Sequence, residues 1–135
     1  MAKILLVDDE PNIVKLTSLH LRRQGHAVIS AENGAAALLS ARDEEPDLIV
    51  LDVLMPVMDG FEALRALKAD PKTRGIPVIM FTCRALDEDI AHGLSEGADL
   101  YMTKPFDMNG LVLAIGRILA ARTFGEHPSA PANSD

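Results

Sequence analysis

The sequence predicts an α/β domain of the doubly wound (βα)5 type, in which helices cover both faces of a parallel sheet. Five apolar runs alternate with segments of helical length, as expected of βαβ units. The central run, Leu48–Leu51, consists of four consecutive aliphatic residues, which is typical of a strand buried on both faces. Because short crossovers of this kind are right-handed, the strands are expected to be parallel.

The elements alternate from the amino terminus, beginning with a strand. The strands are predicted at Lys3–Val7, Ala27–Ala31, Leu48–Leu51, Val78–Thr82 and Leu100–Thr103. Pro11 suits the first turn of the first helix, where a missing N–H is no loss, and Gly25 ends that segment. The apolar and neighbouring positions that recur between them at helical spacing are Ile13, Val14, Leu16, His20 and Leu21.

The remaining helices also have recognisable starts. The second is predicted from Asn33-Gly34 to Arg42, with Pro46 closing its loop, and the third begins at Asp59-Gly60. Asp87-Glu88-Asp89 and Asp107 place negative charge in the first turns of the fourth and fifth helices, where the macrodipole favours it. The expected buried faces are Phe61, Leu64 and Leu67 in the third helix, and Leu111, Ile115, Ile118 and Leu119 in the fifth.

Composition narrows the class of protein. The chain has 135 residues, 48% hydrophobic and 24% charged, which fits one globular domain. No apolar run approaches the ~18 residues that a membrane span requires. The single cysteine, Cys83, permits no internal disulfide, and these features favour a cytoplasmic protein. The net charge of −7, with scattered Lys and Arg, argues against direct binding to nucleic acid.

Chemistry-bearing residues lie at the carboxyl ends of four of the strands. They are Asp8-Asp9, Asp52, Thr82 and Lys104-Pro105. The carboxyl ends of parallel strands meet at one sheet edge, where open α/β sheets bind ligands. Neighbouring carboxylates repel one another unless a cation compensates, and Mg²⁺ is the natural choice where phosphate is also handled. Taken singly, each feature has a plainer explanation as a strand-end cap, a charge pair at a helix start or a solvated lysine.

A cation at this edge would allow Asp52 to act as a nucleophile that forms an acyl phosphate. Phosphoryl transfer depends mainly on positioning and charge neutralisation. Lys104 together with the cation would neutralise the phosphoryl oxygens, and Thr82 would form a hydrogen bond with one of them. The residue types at this edge therefore match the needs of phosphoryl transfer to an aspartate.

The chain resembles the receiver domains of two-component response regulators over Lys3 to about Ala121. The stretches that carry the resemblance are Val7-Asp8-Asp9-Glu10-Pro11, Leu51-Asp52-Val53-Leu54-Met55-Pro56-Val57-Met58-Asp59-Gly60, Phe81-Thr82, Gly97-Ala98-Asp99 and Tyr101-Met102-Thr103-Lys104-Pro105-Phe106. Each motif alone is weak, but their combination in this order is specific. The resemblance implies a five-stranded sheet of order 2-1-3-4-5.

The resemblance also implies roles for individual residues. Asp52 would accept a phosphoryl group from a phosphohistidine, with Mg²⁺ held by Asp8, Asp9, Asp52 and the backbone carbonyl of Val53. Lys104 would contact the phosphoryl group, followed by a cis peptide bond to Pro105. Thr82 would move toward the phosphoryl group, and the Tyr101 ring would swing into the vacated space. The surface of helix four, strand five and helix five would then change.

Three residues depart from the common family pattern or are expected to change the rate of phosphoryl transfer. Cys83 follows Thr82 where a smaller residue is usual, which would crowd the phosphoryl group. Leu54 and Arg84 occupy the positions expected to flank the path of the attacking water. Because an apolar Leu54 offers that water no hydrogen bond, we expect a long-lived acyl phosphate.

The expected protein is a signalling switch rather than an enzyme, with a receiver domain at residues 1–122 and a disordered tail at 123–135. Its expected partners are a sensor histidine kinase or histidine phosphotransfer protein and a downstream protein. It would be a monomer or a weak phosphorylation-dependent dimer, without membrane attachment. The alternatives are a receiver cut from a longer regulator and a pseudo-receiver that acts without phosphorylation. A phosphatase of the aspartyl-nucleophile type is disfavoured, because its nucleophile and acid lie two residues apart, whereas Asp8 and Asp9 are adjacent.

Overall fold

Ten elements alternate along the chain. The computed structural model describes residues 2–52, 60–82, 87–103 and 108–123. The elements are β1 (Lys3–Val7), α1 (Pro11–Arg23), β2 (Ala27–Ala31), α2 (Gly34–Glu44), β3 (Leu48–Asp52), α3 (Gly60–Ala69), β4 (Val78–Thr82), α4 (Asp87–Ser95), β5 (Leu100–Thr103) and α5 (Met108–Thr123). Among the described helices, none combines the length and apolar character needed to cross a bilayer.

The strands form one parallel sheet of order β2-β1-β3-β4-β5. Both the doubly wound class and the strand order expected from the resemblance are confirmed. The central position belongs to β3, and each of its residues is buried. This burial explains why Leu48–Leu51 is uniformly aliphatic, because neither face of a central strand meets water.

Each face of the sheet carries its own core. On one face, Leu5, Val7, Ile49 and Leu51 pack with residues of α2 and α3. On the other face, the alternate residues of the same strands pack with α1 and α5; they are Ile4, Leu6, Leu48 and Val50. The faces predicted for α3 and α5 are buried as expected, with the exception of Leu119, which is partly exposed.

Helix α1 differs in one respect from the sequence-based expectation. Leu16 is 49% exposed, whereas Thr17, Ser18 and Leu21 are buried. The buried face of α1 is therefore rotated relative to the face predicted from the spacing of the aliphatic residues. This buried face includes two hydroxyl residues, Thr17 and Ser18. The helix ends where expected, since Gly25 adopts a positive φ of 92° directly after it.

A lysine of α3 holds the loop that leads into β4. This loop lies at the amino-terminal edge of the sheet, opposite the edge that carries Asp52. The Lys68 Nζ donates hydrogen bonds to the carbonyl oxygens of Arg74 and Ile76 at 3.1 and 3.0 Å. Burial lowers the pKa of Lys68; the charge of Asp99 opposes this shift, and the charge of Arg122 adds to it. Lys68 thus ties the end of α3 to the loop that enters β4.

Candidate functional site

Strand pairing brings two distant aspartates together. Val7 pairs with Leu51 in the β1–β3 register, so the next residues, Asp8 and Asp52, follow side by side at the carboxyl edge of the sheet. The Asp8 backbone is fixed there by a 3.1 Å hydrogen bond from its N–H to the carbonyl oxygen of Ala31. Two carboxylates separated by 44 positions in sequence are therefore neighbours because β1 and β3 are adjacent strands.

A third carboxylate completes the cluster. Oxygen atoms of Asp8, Glu10 and Asp52 all lie within 4.8 Å of one another, an arrangement able to hold a metal ion. Asp8 and Asp52 are only 2% and 3% exposed, whereas Glu10 is open to solvent. Burial weakens the screening of their mutual repulsion by water, so a bound cation would stabilise this group more than it would stabilise dispersed surface carboxylates.

Sequence reasoning did not include Glu10 in the cluster. The residue immediately precedes α1 and has an extended backbone, and its side chain does not cap the helix. Its N–H donates to Oδ1 of Asp8 at 3.0 Å, forming a short turn after β1. This turn carries the Glu10 carboxylate back toward the sheet edge. Asx-type turns after an aspartate are a recognisable signal that could have suggested it.

The predicted ligand Asp9 has a different position in the structure. It is exposed and is not a member of the three-carboxylate cluster among the described residues. Instead, Asp9 lines an adjoining cavity of about 340 Å³. The other residues around this cavity are Asp8, Pro11, Val14, Lys15, Ser30, Ala31 and Glu32. The role of Asp9 as a metal ligand stays a prediction.

The other predicted site residues are only partly described. Thr82 ends β4 and is paired with Thr103 of β5. Tyr101 is half-buried on β5, pairs with Met80 in register and packs on the core that faces α3. The remaining predicted residues lie outside the described part of the chain; they are Val53, Leu54, Cys83, Arg84, Lys104 and Pro105.

The arrangement can bind a hard divalent cation beside a buried carboxylate at the end of a central parallel strand. Oxygen-only ligands and a negative cluster suit Mg²⁺ or a similar ion. Asp52 is the last residue of β3 and lies at the carboxyl edge of the sheet, where open α/β sheets bind their ligands. These features match a phosphoryl-accepting aspartate better than a strand cap.

Comparison with known proteins identifies the class. The sequence profile of the response regulator receiver domain matches residues 4–116, so the chain belongs to this family. One relative matches over nearly its whole length. It is protein PilH of Pseudomonas aeruginosa, which is 43% identical over 121 residues that cover 89% of this chain and 99% of PilH. By contrast, the chain spans about half the length of several bacterial transcriptional regulators that it matches.

Solved receiver structures have the same fold. The receiver domain of a histidine kinase from Syntrophus aciditrophicus is 36% identical, with a TM-score of 0.83, over 90% of this chain and 92% of that one. The receiver domain of the sensor kinase PA1611 from Pseudomonas aeruginosa is 33% identical, with a TM-score of 0.81, over 88% and 98% of the two chains. That structure has a magnesium ion coordinated in its active-site cleft.

Proposed function

We propose that the chain is a phosphorylation-dependent switch in which Asp52 accepts a phosphoryl group with the help of Mg²⁺. The observation that carries the proposal is the cluster of Asp8, Glu10 and Asp52 at the carboxyl edge of the sheet. Membership of the receiver family gives the cluster a functional context, because receiver domains act in two-component signalling. The protein is therefore a signalling component.

The donor set fits Mg²⁺. Asp8 and Asp52 supply buried carboxylate oxygens, and Glu10 adds an exposed one. Asp9 and the backbone carbonyl of Val53 are further ligands that the resemblance suggests. The magnesium ion in the PA1611 receiver supports this choice of metal. When bound, Mg²⁺ would supply positive charge beside the phosphoryl oxygens.

The reaction uses Asp52 as the nucleophile. A carboxylate oxygen of Asp52 attacks the phosphorus of a phosphohistidine on a sensor kinase or phosphotransfer protein. The new O–P bond makes an acyl phosphate, the N–P bond breaks, and the imidazole leaves with the electron pair of that bond. In this proposal Lys104 pairs with the phosphoryl oxygens, and the hydroxyl of Thr82 donates a hydrogen bond to one of them.

The output is a change of surface. The phosphoryl group carries roughly −1.5 to −2 charge and replaces the single negative charge of the Asp52 carboxylate, a change large enough to bias a two-state element. The Tyr101 ring would follow Thr82 toward the phosphoryl group and alter the surface of α4, β5 and α5. A downstream protein or a second copy of the chain would bind this altered surface. We place these roles in a receiver unit at residues 1–122, with 123–135 as a tail.

A receiver within a longer regulator is a second candidate, because several relatives extend to about twice the matched length. PilH, 99% of which is covered by this chain, is a relative that consists of little more than the matched region. The chemistry at Asp52 would be the same in both cases. What differs is whether the altered surface contacts another protein or another domain.

Phosphorylation can be tested by intact mass after incubation with Mg²⁺ and acetyl phosphate. We expect the wild type to gain one phosphoryl group, and Asp52→Asn to gain none. The matched control is Asp43→Asn on the exposed side of α2, which should behave as the wild type. Removing Mg²⁺ with a chelator should suppress the gain.

Two outcomes would overturn the proposal. One is equal phosphoryl gain in Asp52→Asn and the wild type, which would place the acceptor elsewhere. The other is no gain in the wild type with either acetyl phosphate or a phosphorylated histidine phosphotransfer protein as donor. The second result would instead support a pseudo-receiver that acts by binding alone.

A further inference from the structure

Gly93 of α4 faces the ring of Tyr101 without an intervening side chain. A Cβ atom added at Gly93 would lie 3.0 Å from Cδ2 and 3.2 Å from Cε2 of Tyr101. The same atom would lie 3.1 Å from Sδ of Met80. Gly93 is buried, so the ring edge and the thioether occupy the space that a side chain at this position would need.

Glycine is otherwise a poor residue for the interior of a helix, because it is conformationally more free than alanine in the unfolded chain. Gly116 of α5 provides the comparison within this protein. Apart from the backbone of its own helix, a Cβ at Gly116 would meet no atom of the described residues within 4 Å, and Gly116 is exposed. The close contacts at Gly93 are therefore a property of that position in the fold and are not shared by Gly116.

We propose that Gly93 is a positioning residue that forms the seat of the Tyr101 ring in the unphosphorylated protein. The inference rests on the proposed function, since it concerns the tyrosine that is expected to respond to phosphorylation at Asp52. The seat consists of the backbone of Gly93 on one side and the side chain of Met80, on the neighbouring strand β4, on the other. A methyl group at position 93 would fill the seat and weaken the resting ring position relative to the phosphorylated one.

Tyr101 also borders open space. Tyr101 lines a cavity of about 610 Å³ between the end of α3, α4 and the start of β5. Ile90 and Leu94 of α4 are among the apolar walls of this cavity, and Leu94 is 44% exposed. A displaced ring therefore need not unfold the helix to move. Displacing a side chain from its preferred geometry shifts the ratio of two ring positions by about two- to tenfold.

Tyr101 can be observed directly, because the chain has one tyrosine and no tryptophan. The experiment is acrylamide quenching of its fluorescence in the wild type, Gly93→Ala and Gly116→Ala, each before and after incubation with Mg²⁺ and acetyl phosphate. We expect the quenching constant of resting Gly93→Ala to move toward the value of the phosphorylated wild type. Gly116→Ala should match the wild type in both states, and far-ultraviolet circular dichroism confirms that each variant is folded.

The readouts separate this inference from the proposed function. Two results would overturn the proposal that Gly93 positions the Tyr101 ring. One is an equal quenching constant in the three resting proteins, and the other is a quenching constant of Gly93→Ala that shifts away from the value of the phosphorylated wild type. Failure of the wild type to take up a phosphoryl group from either acetyl phosphate or a phosphorylated histidine phosphotransfer protein, seen by intact mass, would overturn the proposed function. In that case a changed quenching constant in resting Gly93→Ala relative to Gly116→Ala would still support the contact.

A measurement on the wild type guards against a variant that does not fold. The Gly93 α-protons should show a nuclear Overhauser effect to the Tyr101 ring in the unphosphorylated protein. That effect should weaken after phosphorylation, when the ring leaves its seat. If it is absent at rest, or unchanged after confirmed phosphorylation, Gly93 does not position the ring.

Discussion

Asp99 and Val78 are joined by two hydrogen bonds, each 2.8 Å long. The N–H of Asp99 donates to the carbonyl oxygen of Val78, and the N–H of Val78 donates to Oδ2 of Asp99. Val78 is the first residue of β4, and Asp99 immediately precedes β5. The Asp99 side chain thus supplies an acceptor at the start of the ladder that aligns Tyr101 with Met80.

Replacing Asp99 by alanine should destabilise the protein. The Val78 N–H is buried, and loss of its acceptor leaves it unsatisfied at a cost of about 1–3 kcal/mol in the free energy of unfolding. Urea unfolding followed by circular dichroism measures this difference. Asp99→Asn retains an acceptor oxygen and should lose less; an equal loss in both variants would point to charge instead of the hydrogen bond.

Replacing Thr17 by valine should stabilise the protein. Thr17 is 1% exposed, and its Oγ1 has no hydrogen-bond partner within the described part of the chain. Replacing this hydroxyl by a methyl removes an unsatisfied polar atom with little change in helix propensity, for an expected gain of about 1 kcal/mol. Thermal unfolding provides the measurement. Thr17→Ser, which keeps the hydroxyl and loses the methyl, should be less stable than the wild type.

Acidification should lower the free energy of unfolding, because His26 takes up a proton more readily in the unfolded chain than in the folded protein. Its Nδ1 accepts a 3.3 Å hydrogen bond from the N–H of Ala2, and burial, with a smaller effect of the amino terminus, lowers the pKa of His26 below 6.5. The unfolded chain therefore binds this proton at higher pH than the folded protein does. Stability is lost as pH falls from about 6.5 through the lower folded pKa, and it is regained as pH rises again.

The His26 effect can be isolated by comparing variants. We expect the melting temperature of the wild type to fall more than that of His26→Gln between about pH 7.5 and pH 5, since glutamine does not titrate. Carboxylates affect both proteins equally, so the difference reports on the histidine. His20→Gln in α1 serves as the control. Parallel curves for His26→Gln and the wild type would contradict the prediction.

The lifetime of the acyl phosphate should depend on Leu54. The family resemblance implies that this side chain would flank the path of the attacking water, to which leucine would offer no hydrogen bond. Leu54→Asn should hasten dephosphorylation about fivefold, the factor that corresponds to one hydrogen bond of about 1 kcal/mol in the transition state. Loss of the phosphoryl group is followed by intact mass after removal of the donor. An unchanged half-life would make the prediction wrong.

Much of the fold could be predicted because the sheet is parallel and buried. Four of the five predicted strands have the bounds seen in the structure, and β3 differs only by including Asp52. Continuous aliphatic runs between glycines and prolines define such strands well. The side chain of Asn33 also marks the start of α2, where it accepts a 2.9 Å hydrogen bond from the N–H of Ala36.

The details of the site were less predictable. Asp8, Asp9 and Glu10 are consecutive acids, and sequence alone does not show which of them point toward Asp52. The turn closed by the hydrogen bond from the Glu10 N–H to the Asp8 carboxylate determines these directions. In this turn Asp9 is exposed and the Glu10 carboxylate lies in the cluster with Asp8 and Asp52. The seat at Gly93 was also missed, since it depends on how closely α4 approaches β5.

The position of β1 between β2 and β3 affects the chain while it is being synthesised. The first 44 residues contain only β1, α1, β2 and α2, so one edge of β1 has no partner until β3 leaves the ribosome. Ile4 and Leu6 must also wait for α5 before their core is complete. Uncovered apolar strand edges pair readily with other chains. The protein is therefore expected to be most prone to aggregation during translation, before its central strand has been made.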